Sequence, residues 1–261
     1  TAIGYNALAN NTVGGNTAVG VSSLATNTTG TDNTAIGTNS LGANTIGLSN
    51  TAVGAGALQS NTNGGGNTAM GINSLLLSGG NSGNTAIGSN SMYGCINGNS
   101  NTALGSDSLK GNCANYNVAI GWSCMLYCTI LAQSNVAVGA AALQFVGDGI
   151  NNVAVGTSAL GTSTASNLTA VGYGALQLNT SGTLNTAVGY TALASNLIGG
   201  SNTAVGYQAL TLATGSNNTA LGGGALSALT TGAGCTAVGT GALLLQSTAS
   251  RRPGNYDRQI D

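Results

Sequence analysis

The sequence predicts an all-β fold, a β-solenoid (parallel β-roll or β-helix) of fifteen stacked coils of about 17 residues. Three observations predict it. The pattern Asn-Thr-Ala-(aliphatic)-Gly-x-x-(small)-Leu recurs fifteen times, from Ala2 and Ala18 to Ala220 and Ala237, at spacings of 16, 17 or 18 residues. A Gly stands two positions after the Ala in all fifteen copies, and a Leu six positions after it in thirteen, with Met92 and Met125 in the other two. The chain is also nearly uncharged: 261 residues carry only 4 basic and 5 acidic side chains, and 42% are hydrophobic, chiefly small aliphatics. Such a composition cannot fill one thick core, but it can continue a thin one from repeat to repeat.

Each repeat divides into elements. A helix is excluded, because a Gly in every repeat costs about 1 kcal/mol relative to Ala and no 3.6-residue apolar stripe runs through the Asn, Thr and Gly segments. Thr-Ala-Val-Gly suits a strand, with β-branched residues at its first and third places on one face and Ala and Gly on the other. Val is the better core residue, so the expected core ladder is Val19, Leu24, Val53, Leu58, Val188, Leu193, Val205 and Leu210. After the bend at Gly-x-x a second short strand is expected around Ala-Leu, followed by turn-forming segments such as residues 25–32. The variation in repeat length falls between the Leu and the next Asn, so a surface loop absorbs it and the strands keep register. Residues 1–250 form the repeat domain, and residues 251–261 are a tail outside the pattern.

A single coil is not stable. Ordering 17 residues costs about 25 kcal/mol, whereas burying one Val and one Leu returns about 3–6 kcal/mol. Stacking supplies backbone ladders, and the Asn two positions before the Ala, present in twelve of the fourteen copies that include the place, suits amide hydrogen bonding between coils. The Ala/Gly face serves either as the interior contact or as a contact between protomers. The chain starts inside a repeat at Thr1, which suggests an excerpt of a longer protein or end-to-end stacking into a filament.

The segments Asn185-Thr186-Ala187-Val188-Gly189-Tyr190-Thr191-Ala192-Leu193 and Asn202-Thr203-Ala204-Val205-Gly206-Tyr207-Gln208-Ala209-Leu210 resemble the head repeats of trimeric autotransporter adhesins, the YadA-like heads. They are still more similar to the related repeats of phage tail fibres and bacterial surface fibres. The resemblance spans about residues 1–245. It implies a left-handed parallel β-roll, trimeric assembly and attachment to a host or matrix. This sequence differs in its longer period and in preferring Thr before the Ala, and no stalk, neck, anchor or C-terminal chaperone segment accompanies the repeats.

Three groups of residues stand out as candidate sites. Tyr173, Tyr190 and Tyr207 occupy the place after the repeated Gly in successive coils, as do Tyr5 and Trp122 elsewhere. They form either a row of rings for stacking on sugars or a self-stacking corner. The Thr column would match an ordered water lattice, as in ice-binding solenoids, if it faced outward, but the Val that shares its face argues for an inward Thr. Cys95, Cys113 and Cys128 fall nine, ten and nine residues after the Ala of successive coils. One bridge, Cys95–Cys113 or Cys113–Cys128, is therefore within reach in an oxidising compartment, the alternative being buried thiols. Sequons such as Asn10-Asn11-Thr12 and Asn27-Thr28-Thr29 occur.

Catalysis is not expected. There is no His and no Glu, and Asp32, Asp107 and Asp148 lie in separate coils, so no acid–base pair forms. No cofactor or metal is implied. A net charge of −1 offers nothing to nucleic acid, and no apolar run reaches the roughly 20 residues that span a bilayer. The expectation is an extracellular, cell-surface or virion fibre segment. Its partners would be copies of itself, as a trimer or a head-to-tail filament, together with host or cell-surface glycans.

Overall fold

The computed structural model describes residues 1–112 and 114–248. Fifteen short strands, from Ala2–Ile3 to Thr236–Val238, form one parallel sheet in sequence order. Each is one coil of a β-solenoid of about fourteen turns, and no helix occurs among the described residues. Register is kept by identity: Ala18 pairs with Ala35, Ala35 with Ala52, and so on to Ala220 with Ala237. At about 4.8 Å per strand the stack is roughly 70 Å long.

The strand faces are the reverse of the expected ones. Ala18, Ala35, Ala52 and their equivalents through Ala220 are fully buried, while the flanking Thr and aliphatic residues lie on the outer face. Leu24, Leu58, Leu193 and Leu210 of the expected core ladder are fully buried. Val19, Val53, Val188 and Val205 are only half-buried or exposed. Parity explains the reversal. Asn, Ala and Gly at alternate places point inward, and the narrow interior, already occupied by the Leu column and buried amides, leaves room for a methyl but not for an isopropyl group.

The expected second strand is replaced by a turn. Leu24, Leu41, Leu58 and their counterparts take φ of about +50°, as do Ser22 and Asn39 two residues before them. A left-handed Leu costs about 1–2 kcal/mol, which complete burial of the side chain, worth about 1.5–3 kcal/mol, offsets. Hydrogen bonding between coils continues through this turn without strand geometry. Leu24 N–H donates to Ser40 O at 3.1 Å and Leu41 N–H to Ala57 O at 2.9 Å. Among the described residues, only Tyr127–Cys128 and Phe145–Gly147 form a second, two-stranded parallel sheet.

Two Asn ladders run up the interior. In the first, the backbone N–H and Nδ2 of Asn33 both donate to Asn16 Oδ1, at 2.9 and 3.2 Å. The second joins Asn11, Asn27, Asn44 and Asn61, with Asn44 Nδ2 donating to Asn27 Oδ1 at 2.8 Å and Asn61 Nδ2 to Asn44 Oδ1 at 2.9 Å. The repeated Gly is required by space and conformation alike. Gly20 has φ +138°, and a Cβ there would sit 2.6 Å from the carbonyl oxygen of Gly37 in the next coil. The tail at residues 251–261 lies outside the described residues.

Candidate functional site

Two surfaces present regular chemistry, the outer face of the long sheet and the corner that follows the Gly column. On the sheet, the aliphatic column runs Val19, Ile36, Val53, Met70, Ile87, Leu104 and onward to Val238, beside a Thr column broken by Val118, Val136 and Val153. Ile36, Leu104 and Val205 are 41%, 45% and 38% exposed. Thr and Val therefore share an exposed face, which corrects the expectation of an inward Thr. The Ala/Gly face is interior and makes no surface.

At the corner, Tyr173, Tyr190 and Tyr207 stack on one another. Their ring centroids are 5.3 and 5.4 Å apart and their planes 12° and 10° from parallel. Self-stacking decides what the ladder can bind. A ring inserted between two faces needs about 3.5–4.0 Å on each side, about 7–8 Å in all, so the spaces between these rings are closed to a sugar. Tyr5 and Trp122 occupy the same column, exposed, in their own coils. A further pair that the repeat pattern did not single out, Tyr127 and Phe145, stacks at 4.6 Å on the side of the coil that carries the two-stranded sheet. Its sequence signal is an aromatic eight places after the repeat Ala in two successive coils.

The cysteines separate into different environments. Cys95 is a buried free thiol, and burial pushes it up to about 11. Of the alternatives, the buried thiol is therefore the one that holds for Cys95, and it takes no part in a bridge. Cys128 is disulfide-bonded, and Cys113 lies outside the described residues. Cys124, which faces the interior at the place occupied by Ser or Ala in other coils, is pushed up to about 12 by burial. Neither free thiol has the exposed, electropositive setting of a reactive cysteine.

The few charges sit apart. Lys110 Nζ pairs with Asp107 Oδ1 at 2.9 Å, and this contact lowers the Asp107 pKa. Among the described residues no group of three or more His, Cys, Asp or Glu converges. At the two sequons named above, Asn10 is exposed, whereas the Asn27 amide is buried and donates to Asn11 Oδ1 at 2.6 Å and Gly30 O at 2.9 Å. A glycan on Asn27 is incompatible with this fold.

No family model, curated protein or solved structure matches this chain. Its functional reading therefore rests on the repeat and on these two surfaces.

Proposed function

We propose that this chain is a structural and adhesive segment of an extracellular fibre that associates with further copies of itself through the outer sheet face. One observation carries the reading. An uncharged aliphatic column, half-buried to exposed, runs along the outer face of all fifteen strands, and a soluble protein that stays alone rarely leaves a contiguous apolar stripe of that length in water. The interior is thin, so covering this stripe adds the apolar burial that a single solenoid lacks. The resemblance of residues 185–210 to adhesin-head and tail-fibre repeats supports the same reading and suggests a trimer. The disulfide at Cys128 supports an oxidising, extracellular location.

Sedimentation velocity across a concentration series tests the proposal. The expected result is a discrete oligomer that dissociates in the Val155→Asp/Val205→Asp double variant while its circular dichroism is unchanged, because both side chains point outward. A wild-type chain that stays monomeric throughout the series rejects it. The outward Thr column favours a second use of the face, ice binding, which thermal hysteresis by the same samples would show.

A further inference from the structure

The corner column changes character at one end of the tyrosine ladder. In successive coils it reads Thr157, Tyr173, Tyr190, Tyr207, Gly223 and Thr240. Tyr207 is the most exposed of the three tyrosines at 59%, and it stacks on Tyr190 by one face only. Gly223 lies over its other face without a side chain. A Cβ placed there would meet only Tyr207 O at 3.9 Å and Tyr207 Cβ at 4.0 Å, and Gly224 beside it is side-chain-free too, with Leu244 Cδ1 3.5 Å from where its Cβ would lie.

Spacing decides what this notch admits. From Tyr207 to Thr240 is two coils, about 9.6 Å at the strand repeat. A ring in contact on both sides needs about 7–8 Å. One ring therefore fits on Tyr207, whereas the 5.4 Å between Tyr190 and Tyr207 admits none. Tyr5 and Trp122 are exposed as well, at 74% and 61%, but the neighbouring places in the column carry side chains. The far face of Tyr173 is followed by the Thr157 side chain, Trp122 by the Ala140 methyl, and Tyr5 by Val21.

We propose that the notch formed by Tyr207, Gly222–Gly224 and Thr240 binds a neutral pyranose unit of a glycan, stacked by its C–H face on the free face of Tyr207. The rim carries the Tyr207 and Thr240 hydroxyls, matching a ring with one apolar face and a hydroxylated edge. The groups that line the notch, Tyr207, Gly222–Gly224 and Thr240, are themselves uncharged, which matches a neutral sugar. This names a ligand for the adhesive part of the proposed function.

The test uses the full chain titrated with chitotetraose and with cellotetraose, followed by calorimetry and by the tyrosine ring resonances. Saturable binding of at least one probe is expected, weakened about tenfold or more by Tyr207→Ala and by Gly223→Tyr. The second variant keeps an ordinary backbone conformation and extends the ladder into the notch. Trp122→Ala should bind as wild type. No saturable binding of either probe, or wild-type affinity in Gly223→Tyr, overturns the proposal. Sedimentation of the same variants keeps the outcomes apart, since lost binding with unchanged assembly bears on the notch alone.

Discussion

Asn33 and Asn44 donate from their side-chain amides to a single oxygen, the carbonyl of Gly47, at 2.8 and 3.0 Å. The first residue belongs to the ladder beside the sheet and the second to the ladder on the far side of the coil, so this carbonyl ties the two together. Asn50 and Asn61 share Gly64 O in the next coil, and Asn185 and Asn196 share Gly199 O near the other end. A carbonyl has two lone pairs, and here both are used inside a dry interior.

Asn44→Ala should therefore be costly. It leaves Asn27 Oδ1 without its donor, at about 1–3 kcal/mol for a buried group left unpaired, and takes from Asn61 Nδ2 one of its two acceptors, the other being Gly64 O. Repeats couple to their nearest neighbours, so hydrogen exchange should quicken first in the coils around residues 27–61. Uniform exchange along the whole chain would contradict this.

The far ladder stops at Ser78. Asn61 Oδ1 and Ser78 Oγ are both buried without a partner. Ser78→Asn should carry the ladder one coil further and raise stability by about 1 kcal/mol, read as a higher urea midpoint. A lower midpoint would mean that the site cannot admit the longer amide.

Two glycine substitutions should differ sharply. At Gly172, φ is +130° and a Cβ would lie 2.4 Å from Gly189 O, so Gly172→Ala should disrupt the stack there. Gly223→Ala has ordinary contacts at 3.9 and 4.0 Å and should melt within about 1 kcal/mol of wild type. Thermal melts of the pair, run side by side, check the contrast.

The pH response should be one-sided. With no His or Glu, stability should be nearly flat from about pH 5 to about pH 8. The buried Cys95 and Cys124 thiols are raised from 9.0 to about 11 and about 12. The folded chain thus holds their protons where the unfolded chain gives them up, so their contribution is complete below pH 9.0 and is lost as pH rises toward 11 and 12. Denaturation midpoints across alkaline pH should fall, and Cys95→Ala/Cys124→Ala should flatten the fall. Both thiols should resist iodoacetamide in the native protein and label on unfolding, as peptide mass spectrometry would show. On the acid side the half-buried Asp107–Lys110 pair is partly screened by solvent. The Asp107 pKa is lowered, so what it contributes is present above the ordinary carboxylate value and fades as pH falls through the lowered one.

Much of the candidate site could be read from residue spacing. Tyr173, Tyr190 and Tyr207 share a column because each follows the repeat Gly, and the first Asn column was visible two places before the Ala. The second ladder recurred in four successive coils, at Asn11, Asn27, Asn44 and Asn61, but lay in a segment whose Asn and Gly content reads as surface turn. Its burial follows from chain closure, which returns that segment beneath the next coil. The closing of the tyrosine faces was also hidden, because spacing shows that rings share a column but not how their planes lie.

By itself the sequence determined the period, the parallel register and the columns, since residues that recur every 17 positions must superpose once the chain coils. Only the tertiary structure decided which side of Thr-Ala-Val is the inside. Alternation along a strand assigns residues to two faces without saying which face closes on the core. The coil is too narrow for Val opposite Leu, so Ala18 and its equivalents fill the interior and the aliphatic column is left on the surface. The same narrowness holds Leu24 and Leu58 in left-handed turns where propensity alone suggests a strand.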